Sequence, residues 1–461
     1  MKIRFKPLSL FAAAMVSATV FSAPFKDGDV VVFLGDSITH GGRYHEFVTD
    51  FYRTRYPDLK VRFVNSGVGG DNASAAQRRI PDDVVPYNPT YVAIHFGMND
   101  VSRGSYSADS SLSTISRRVG AFENWKKNID VLLGKLKEAV PGATPIYFTT
   151  TPYDDTAVVT NMPPGAKGWA TVNQFGCNAG LAMMAGHIAT KAKADKVWCV
   201  DFYTPLNSFV VRHQKKDPHF MVTKWDRVHP EALGHSIMAW KFLEGQGVSP
   251  VVSDVAVDAK SLKASKSANA KVSSIEGGAD GVKFTVCAKS LPFPVAPEAL
   301  GYIGEFDVEK KLNRERLAVT GLRPGKYALS IEGEKAGEWT SEEFSKGISL
   351  GFNDKTPQYR QAQEVFAKQA EISARERRIR DCHYTRWFYQ TRANVDDMKE
   401  FSDWFEKNEK NKSMIFAKFK PQYVEYWPKH EEVRDKLWKD QEAVRAMAKP
   451  RALAYEVKKI D

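Results

Sequence analysis

Three side chains far apart in the sequence are of the types that acyl transfer needs. Ser37 stands in Gly35-Asp36-Ser37-Ile38-Thr39, and the stretch Asp226-Arg227-Val228-His229-Pro230 puts a carboxylate and an imidazole on one local turn. A serine hydroxyl is a poor nucleophile at neutral pH and attacks a carbonyl only when a neighbouring base takes its proton. An imidazole does this, provided a carboxylate holds its other nitrogen in the right tautomer. Negative charge then builds on the carbonyl oxygen and needs preorganised donors. Two further blocks offer them. Asn65-Ser66-Gly67-Val68-Gly69-Gly70-Asp71-Asn72 is a glycine-rich turn whose backbone N–H groups can approach an anion closely, and Gly97-Met98-Asn99-Asp100 offers a side-chain amide. Asp36, Thr39 and Asp71 read as supports of turns, and His40, His45, Trp125 and Trp169 as candidate substrate contacts.

For these blocks to meet, each must follow a strand at the same edge of one sheet. Residues 29–34 form a continuous apolar run, as in a strand covered on both faces. Residues 60–65, 90–96 and 144–151 read as further strands, with another around Val197. Helical spacing lies between them at 45–56, 122–140 and 175–194, and 225–243 begins as a loop and ends as a helix. Such alternation predicts an α/β fold with a parallel sheet and helices on both faces, which binds ligands at the carboxyl ends of its strands.

The four blocks, in this order and each at the end of its strand, resemble the SGNH hydrolase superfamily, also called the GDSL esterases and lipases. The resemblance covers roughly Asp27 to Gly247, with Ile38 where leucine is common. It implies a flavodoxin-like three-layer sandwich and hydrolysis of a carboxylic ester through an acyl-enzyme, with no metal and no organic cofactor. It further implies Ser37 as nucleophile, His229 as general base and Asp226 as the residue that orients the imidazole. The oxyanion donors would be the Ser37 N–H, the Gly70 N–H and the Asn99 amide. Gly-Asp-Ser-Ile-Thr, a leader and an appended β-rich region look like those of bacterial exported members linked to polysaccharide breakdown. The expected substrate is therefore an acetylated glycan. The alternatives are a lipase or lysophospholipase-type esterase, and a non-catalytic glycan- or surface-binding protein that keeps the fold.

The remaining sequence bounds these readings. The basic start Met1-Lys2-Ile3-Arg4-Phe5-Lys6, a short apolar run and small residues before Pro24 predict a signal peptide over 1–23, cleaved near Ser22 or Ala23. Export to the periplasm or medium follows as an expectation, with no stable membrane insertion. The predicted organisation continues with a catalytic domain over 24–248, a small β-rich region over 249–356 and a helical C-terminal region over 357–461. Within the second, 260–271 reads as an exposed connection and Gly321-Leu322-Arg323-Pro324-Gly325 as a hairpin turn. Helices are predicted from Gln358, over 395–410 and over 431–447, with Trp387, Trp404, Trp427 and Trp438 as packing groups. The formal charge of +11 is spread along 461 residues, without zinc spacing or a nucleic-acid-binding motif, so nucleic acid is not an expected partner. Cys177, Cys199, Cys287 and Cys382 admit several pairings or none. Oligomeric state is not legible.

Overall fold

The computed structural model describes residues 24–106, 111–388, 399–400, 403, 407, 423 and 425–461. The predicted leader, most of the helix predicted over 395–410, and Trp404 lie outside them.

The first sheet is fully parallel, in the order β2-β1-β3-β4-β5. Its strands are β1 (Val30–Gly35), β2 (Arg62–Gly67), β3 (Tyr91–His95), β4 (Thr144–Phe148) and β5 (Cys199–Val200). Val31, Val32, Phe33 and Leu34 of β1 are all fully buried, which explains why the strand reads as an unbroken apolar run. Helices cover both faces: α1 (Ser37–His40), α2 (Arg43–Arg55), α3 (Ile80–Asp83), α4 (Leu112–Ala139), α5 (Cys177–Asp195), α6 (Tyr203–Gln214) and α7 (Ala232–Gln246). α4 starts well before the predicted Phe122: Ser111 accepts the Thr114 N–H and caps a first stretch whose apolar residues, Leu112, Ile115 and Val119, stand exposed rather than in the core. β1, β2 and β3 end in register at Gly35, Gly67 and His95, so the loops that follow them share one edge. A Cβ on Gly67 would collide with the backbone of His40, so only glycine lets α1 pack against the end of β2.

Beyond residue 250 two smaller sheets share an apolar core that includes Val257, Phe284, Leu317, Leu329 and Val457. Their strands are β6 (Val251–Asp258), β7 (Lys263–Ala268), β8 (Ala270–Gly278), β9 (Gly281–Ala288), β10 (Arg314–Thr320), β11 (Lys326–Ile331), β12 (Glu334–Thr340), β13 (Ile348–Ser349) and β14 (Ala452–Lys459). The orders are β13-β10-β6-β7 and β12-β11-β14-β9-β8. α8 (Val308–Leu312) and α9 (Ser341–Lys346) lie among these strands. The long α10 (Pro357–Phe388) packs along α2, β2 and α11 (His430–Met447), with Phe366 stacked on Phe47 at 5.9 Å.

Three expectations for this part are corrected. The stretch 260–271 is not a connection but holds the edge strand β7 and the start of β8. Residues 263–267 are all exposed, so no alternation marks the strand. Residues 321–325 do not close a hairpin: β10 pairs with β6 and β13, whereas β11 pairs with β12 and β14, and the turn carries the chain from one sheet to the other. The C-terminal region does not end as helix, because β14 runs antiparallel to both β9 and β11. Among the described residues no helix is long and apolar enough to cross a membrane. None of the four cysteines is joined in a disulfide.

Candidate active site

Ser37 is the first residue of α1, directly beyond β1. The Asp36 carboxylate caps that short helix by accepting the Ile38 N–H at 2.9 Å. Burial pushes the Asp36 carboxyl up to about 6, against the lowering effect of that hydrogen bond and of nearby His229. The Thr39 hydroxyl bonds the phenol of Tyr44 at 3.0 Å.

His229 reaches Ser37 from a loop that is closed on itself. Thr223 and Pro230 form a β-bridge, and the Lys224 N–H donates to the His229 carbonyl at 2.8 Å. Arg227 holds a left-handed conformation, φ +66°, and its guanidinium donates to the carbonyls of Asp154 and Ala157. The loop thereby presents His229 Nε2 at 2.8 Å from Ser37 Oγ and His229 Nδ1 at 2.6 Å from an Asp226 oxygen. The other Asp226 oxygen accepts the N–H groups of Val228 and His229, each at 3.0 Å. Burial works to raise the Asp226 carboxyl, but its bonds with His229 and the two N–H groups outweigh this and hold it below the usual carboxylate range. An ionised Asp226 keeps the proton on Nδ1 and leaves Nε2 free to accept the serine proton.

The two other blocks arrive at the same edge. Gly70 takes a φ of +76°, a conformation that favours glycine, and its N–H donates to no group among the described residues. Asn99 donates from Nδ2 to the Asp71 carbonyl at 2.8 Å, while its carbonyl oxygen accepts from Arg103 at 3.2 Å. That pair of contacts fixes which way the amide points and uses one of its two N–H bonds, leaving the second for a ligand. A cleft of about 470 Å³ opens beside Ser37 and His229, lined in part by Arg43, Phe220, Lys224 and Tyr302. Tyr302 belongs to the chain beyond residue 250, which therefore contributes a wall to the cleft.

Three of the candidate substrate contacts have other roles. The His40 ring lies between Gly69, whose N–H it accepts at 3.1 Å, and Asp381, at 3.3 Å. His45 is buried, bonded to the Thr39 carbonyl and stacked on Phe33. Trp125 is 1% exposed in the core. The side chain of Trp169 lies outside the described residues.

Asp100 carries a testable pH dependence. One of its oxygens accepts the Ala73 N–H at 3.0 Å, and the other is shielded from solvent without a partner among the described residues. Burial pushes its carboxyl up to about 8. The folded state then keeps a proton that the unfolded chain releases near pH 4, so this group favours folding fully only below that pH and loses its contribution as pH rises to about 8. Asp100→Asn, which keeps the acceptor, is expected to stabilise the protein by about 1–2 kcal/mol at pH 8 and by less at pH 5. Urea unfolding at the two pH values checks this, and an equal gain at both would contradict it.

This chain is similar in sequence and fold to known hydrolases. Residues 33–237 match the model of the GDSL-like lipase/acylhydrolase family. An acetylxylan esterase from Geobacillus stearothermophilus is 26% identical over 238 residues, which span 48% of this chain and 94% of that protein. Among solved structures, a gut microbial diltiazem-metabolizing enzyme superposes with a TM-score of 0.85 at 27% identity, over 95% of this chain and 99% of that one.

Proposed function

With residues 33–237 a member of the SGNH hydrolase superfamily, we propose that the protein hydrolyses carboxylic esters through an acyl-enzyme on Ser37 and removes acetyl groups from carbohydrates. The observation that carries the reading is the continuous line from Ser37 Oγ through the His229 ring to Asp226, at 2.8 and 2.6 Å.

His229 Nε2 takes the hydroxyl proton as Oγ attacks the ester carbonyl, and Asp226 stabilises the imidazolium that forms. The tetrahedral oxyanion is received by the Ser37 N–H, the Gly70 N–H and the free N–H of the Asn99 amide. As the intermediate collapses, His229 returns the proton to the departing alcohol, leaving acetyl on Ser37. Water, deprotonated by His229, then attacks the acyl carbonyl, and acetate leaves as Oγ regains its proton.

Two observations support a carbohydrate as the alcohol part. A relative, 26% identical over 238 residues, is an acetylxylan esterase. The cleft mixes charged groups, Arg43, Lys224, Glu231 and Glu298, with the aromatic rings of Phe220 and Tyr302, a lining suited to polyhydroxylated rings rather than to a long alkyl chain. The structural likeness over nearly the whole chain to a diltiazem-metabolizing enzyme favours a second reading, in which a small drug-like ester is the substrate. Acetate release from acetylated xylo-oligosaccharides and from diltiazem, with a nitrophenyl ester series from acetate to octanoate, separates these readings. A preference for acetate over octanoate of ~10-fold or more in kcat/KM is expected. A preference for octanoate would overturn the deacetylase reading in favour of a lipid esterase.

A further inference from the structure

We propose that the last two turns of α10 are positioning elements of the oxyanion hole, acting on the Gly67–Asp71 turn through Arg380, Asp381 and Trp387. The proposal rests on the reading of Ser37 as a nucleophile served by Gly70 and Asn99.

The turn contains three glycines in five residues, Gly67, Gly69 and Gly70, and such a segment has unusual conformational freedom to lose. Its own backbone supplies little restraint: Val68 donates to the Gly35 carbonyl at 3.0 Å and Asp71 to the Val68 carbonyl at 3.2 Å. Asn65 accepts the Gly67 N–H at 2.9 Å and Arg79 meets Asp71 at 2.7 Å, and α10, more than three hundred residues away in sequence, adds the further restraints. Arg380 donates to the Gly67 carbonyl from Nε and Nη2, at 3.1 and 3.0 Å. Asp381 meets His40 Nε2 at 3.3 Å, which leaves His40 Nδ1 to accept the Gly69 N–H at 3.1 Å. Trp387 donates from its indole nitrogen to Asp71 at 3.0 Å.

These three contacts bear on both outside donors of the oxyanion. Gly70 sits between the two residues that His40 and Trp387 fix, and its N–H points where the turn makes it point. The tip of the Trp387 ring lies 3.8 Å from where a Gly70 Cβ would be, so the indole also walls that side of the turn. Asn99 Nδ2 takes its direction from the Asp71 carbonyl, and the Asp71 side chain is the group the indole holds. His40 serves as a fixed link, since burial lowers its pKa and favours the neutral ring against the opposing pull of Asp381. None of the α10 groups needs to touch substrate. They act through the turn, and a donor misplaced by a fraction of an ångström loses transition-state stabilisation before it loses binding.

The test uses the full chain and p-nitrophenyl acetate. Trp387→Phe keeps a ring in place and removes the N–H donor. It is expected to lower kcat ~10-fold, with KM within ~2-fold and the thermal unfolding midpoint close to that of the wild type. Asp381→Ala is expected to lower kcat similarly, and Asp381→Asn, which retains an acceptor for the imidazole N–H, to recover most of the loss. In an Asn99→Ala background Trp387→Phe should cost less than ~3-fold, because part of what it positions is already gone. A full ~10-fold loss in that background would overturn the proposal, as would an unchanged kcat in both Trp387→Phe and Asp381→Ala. A loss that merely follows the unfolded fraction would do the same. Ser37→Ala in parallel distinguishes the two levels. If it is inactive while Trp387→Phe is unimpaired, only the positioning role falls; if it is as active as the wild type, the nucleophile reading falls and takes this proposal with it.

Discussion

Replacing Ser37 by alanine is expected to lower kcat on p-nitrophenyl acetate by ~10⁴-fold or more, and His229→Ala to do nearly the same. The two groups act as one unit, since Oγ is reactive only while Nε2, 2.8 Å away, can take its proton. The double variant should therefore be little worse than either single one, whereas independent contributions would multiply. A residue of catalysis over water is expected from the oxyanion donors, which neither change removes. Ser37 is partly exposed and His229 retains 26% of its side-chain exposure, so neither truncation opens a core cavity, and unfolding midpoints should stay close to the wild type. Wild-type turnover in Ser37→Ala would end the nucleophile assignment.

The largest expected loss of stability lies one layer below the site. Asp83, 1% exposed, faces Arg79 at 2.7 Å, Arg380 at 2.9 Å and the ring of His383. Burial alone would raise its carboxyl, but Arg380, His383 and Arg79 outweigh this and hold it well below the ordinary carboxylate range. Its contribution is thus present at neutral pH and is lost only as pH falls below that range. Asp83→Ala removes the carboxylate that the buried Arg380 meets and leaves Arg79 with Asp71 alone, and should cost about 3–5 kcal/mol in urea unfolding. The exposed pair Lys346–Glu342 provides the contrast: Glu342→Ala should leave the urea unfolding midpoint close to that of the wild type. Comparable losses in the two variants would show that the buried cluster holds the fold no more strongly than an exposed pair.

The two halves of this protein differ in how far they can be read from residues alone. The parallel strands are legible because burial on both faces forces unbroken apolar runs, and the serine and asparagine blocks are legible because each follows such a run, whereas His229 stands in a loop beyond α6. Contacts between distant segments are not. Nothing around Arg380, Asp381 or Trp387 signals a partner in the Gly67–Asp71 turn; the helix pattern there shows only a dense run of charge. His40 illustrates the same limit, since a histidine beside the serine reads as a substrate contact until the Asp381 carboxylate is seen on its far nitrogen. β7 escapes notice because an edge strand with exposed side chains has no apolar face to alternate with a polar one. The turn at 321–325 has hairpin chemistry, yet turn residues fix local geometry and not which strands pair beyond it.

The position of β14 governs the order in which this molecule can be finished. Lodged between β9 and β11, it is the inner rung of its sheet, yet it lies far beyond both of them in sequence. Until those residues leave the ribosome, two neighbours stand with bare backbone edges, and the half of the sheet on either side has nothing to join it to the other. That layer thus closes only through pairing between segments distant in sequence. A chain without residues 452–459 would lose a keystone rather than a fringe, and would expose two templates for pairing with strangers.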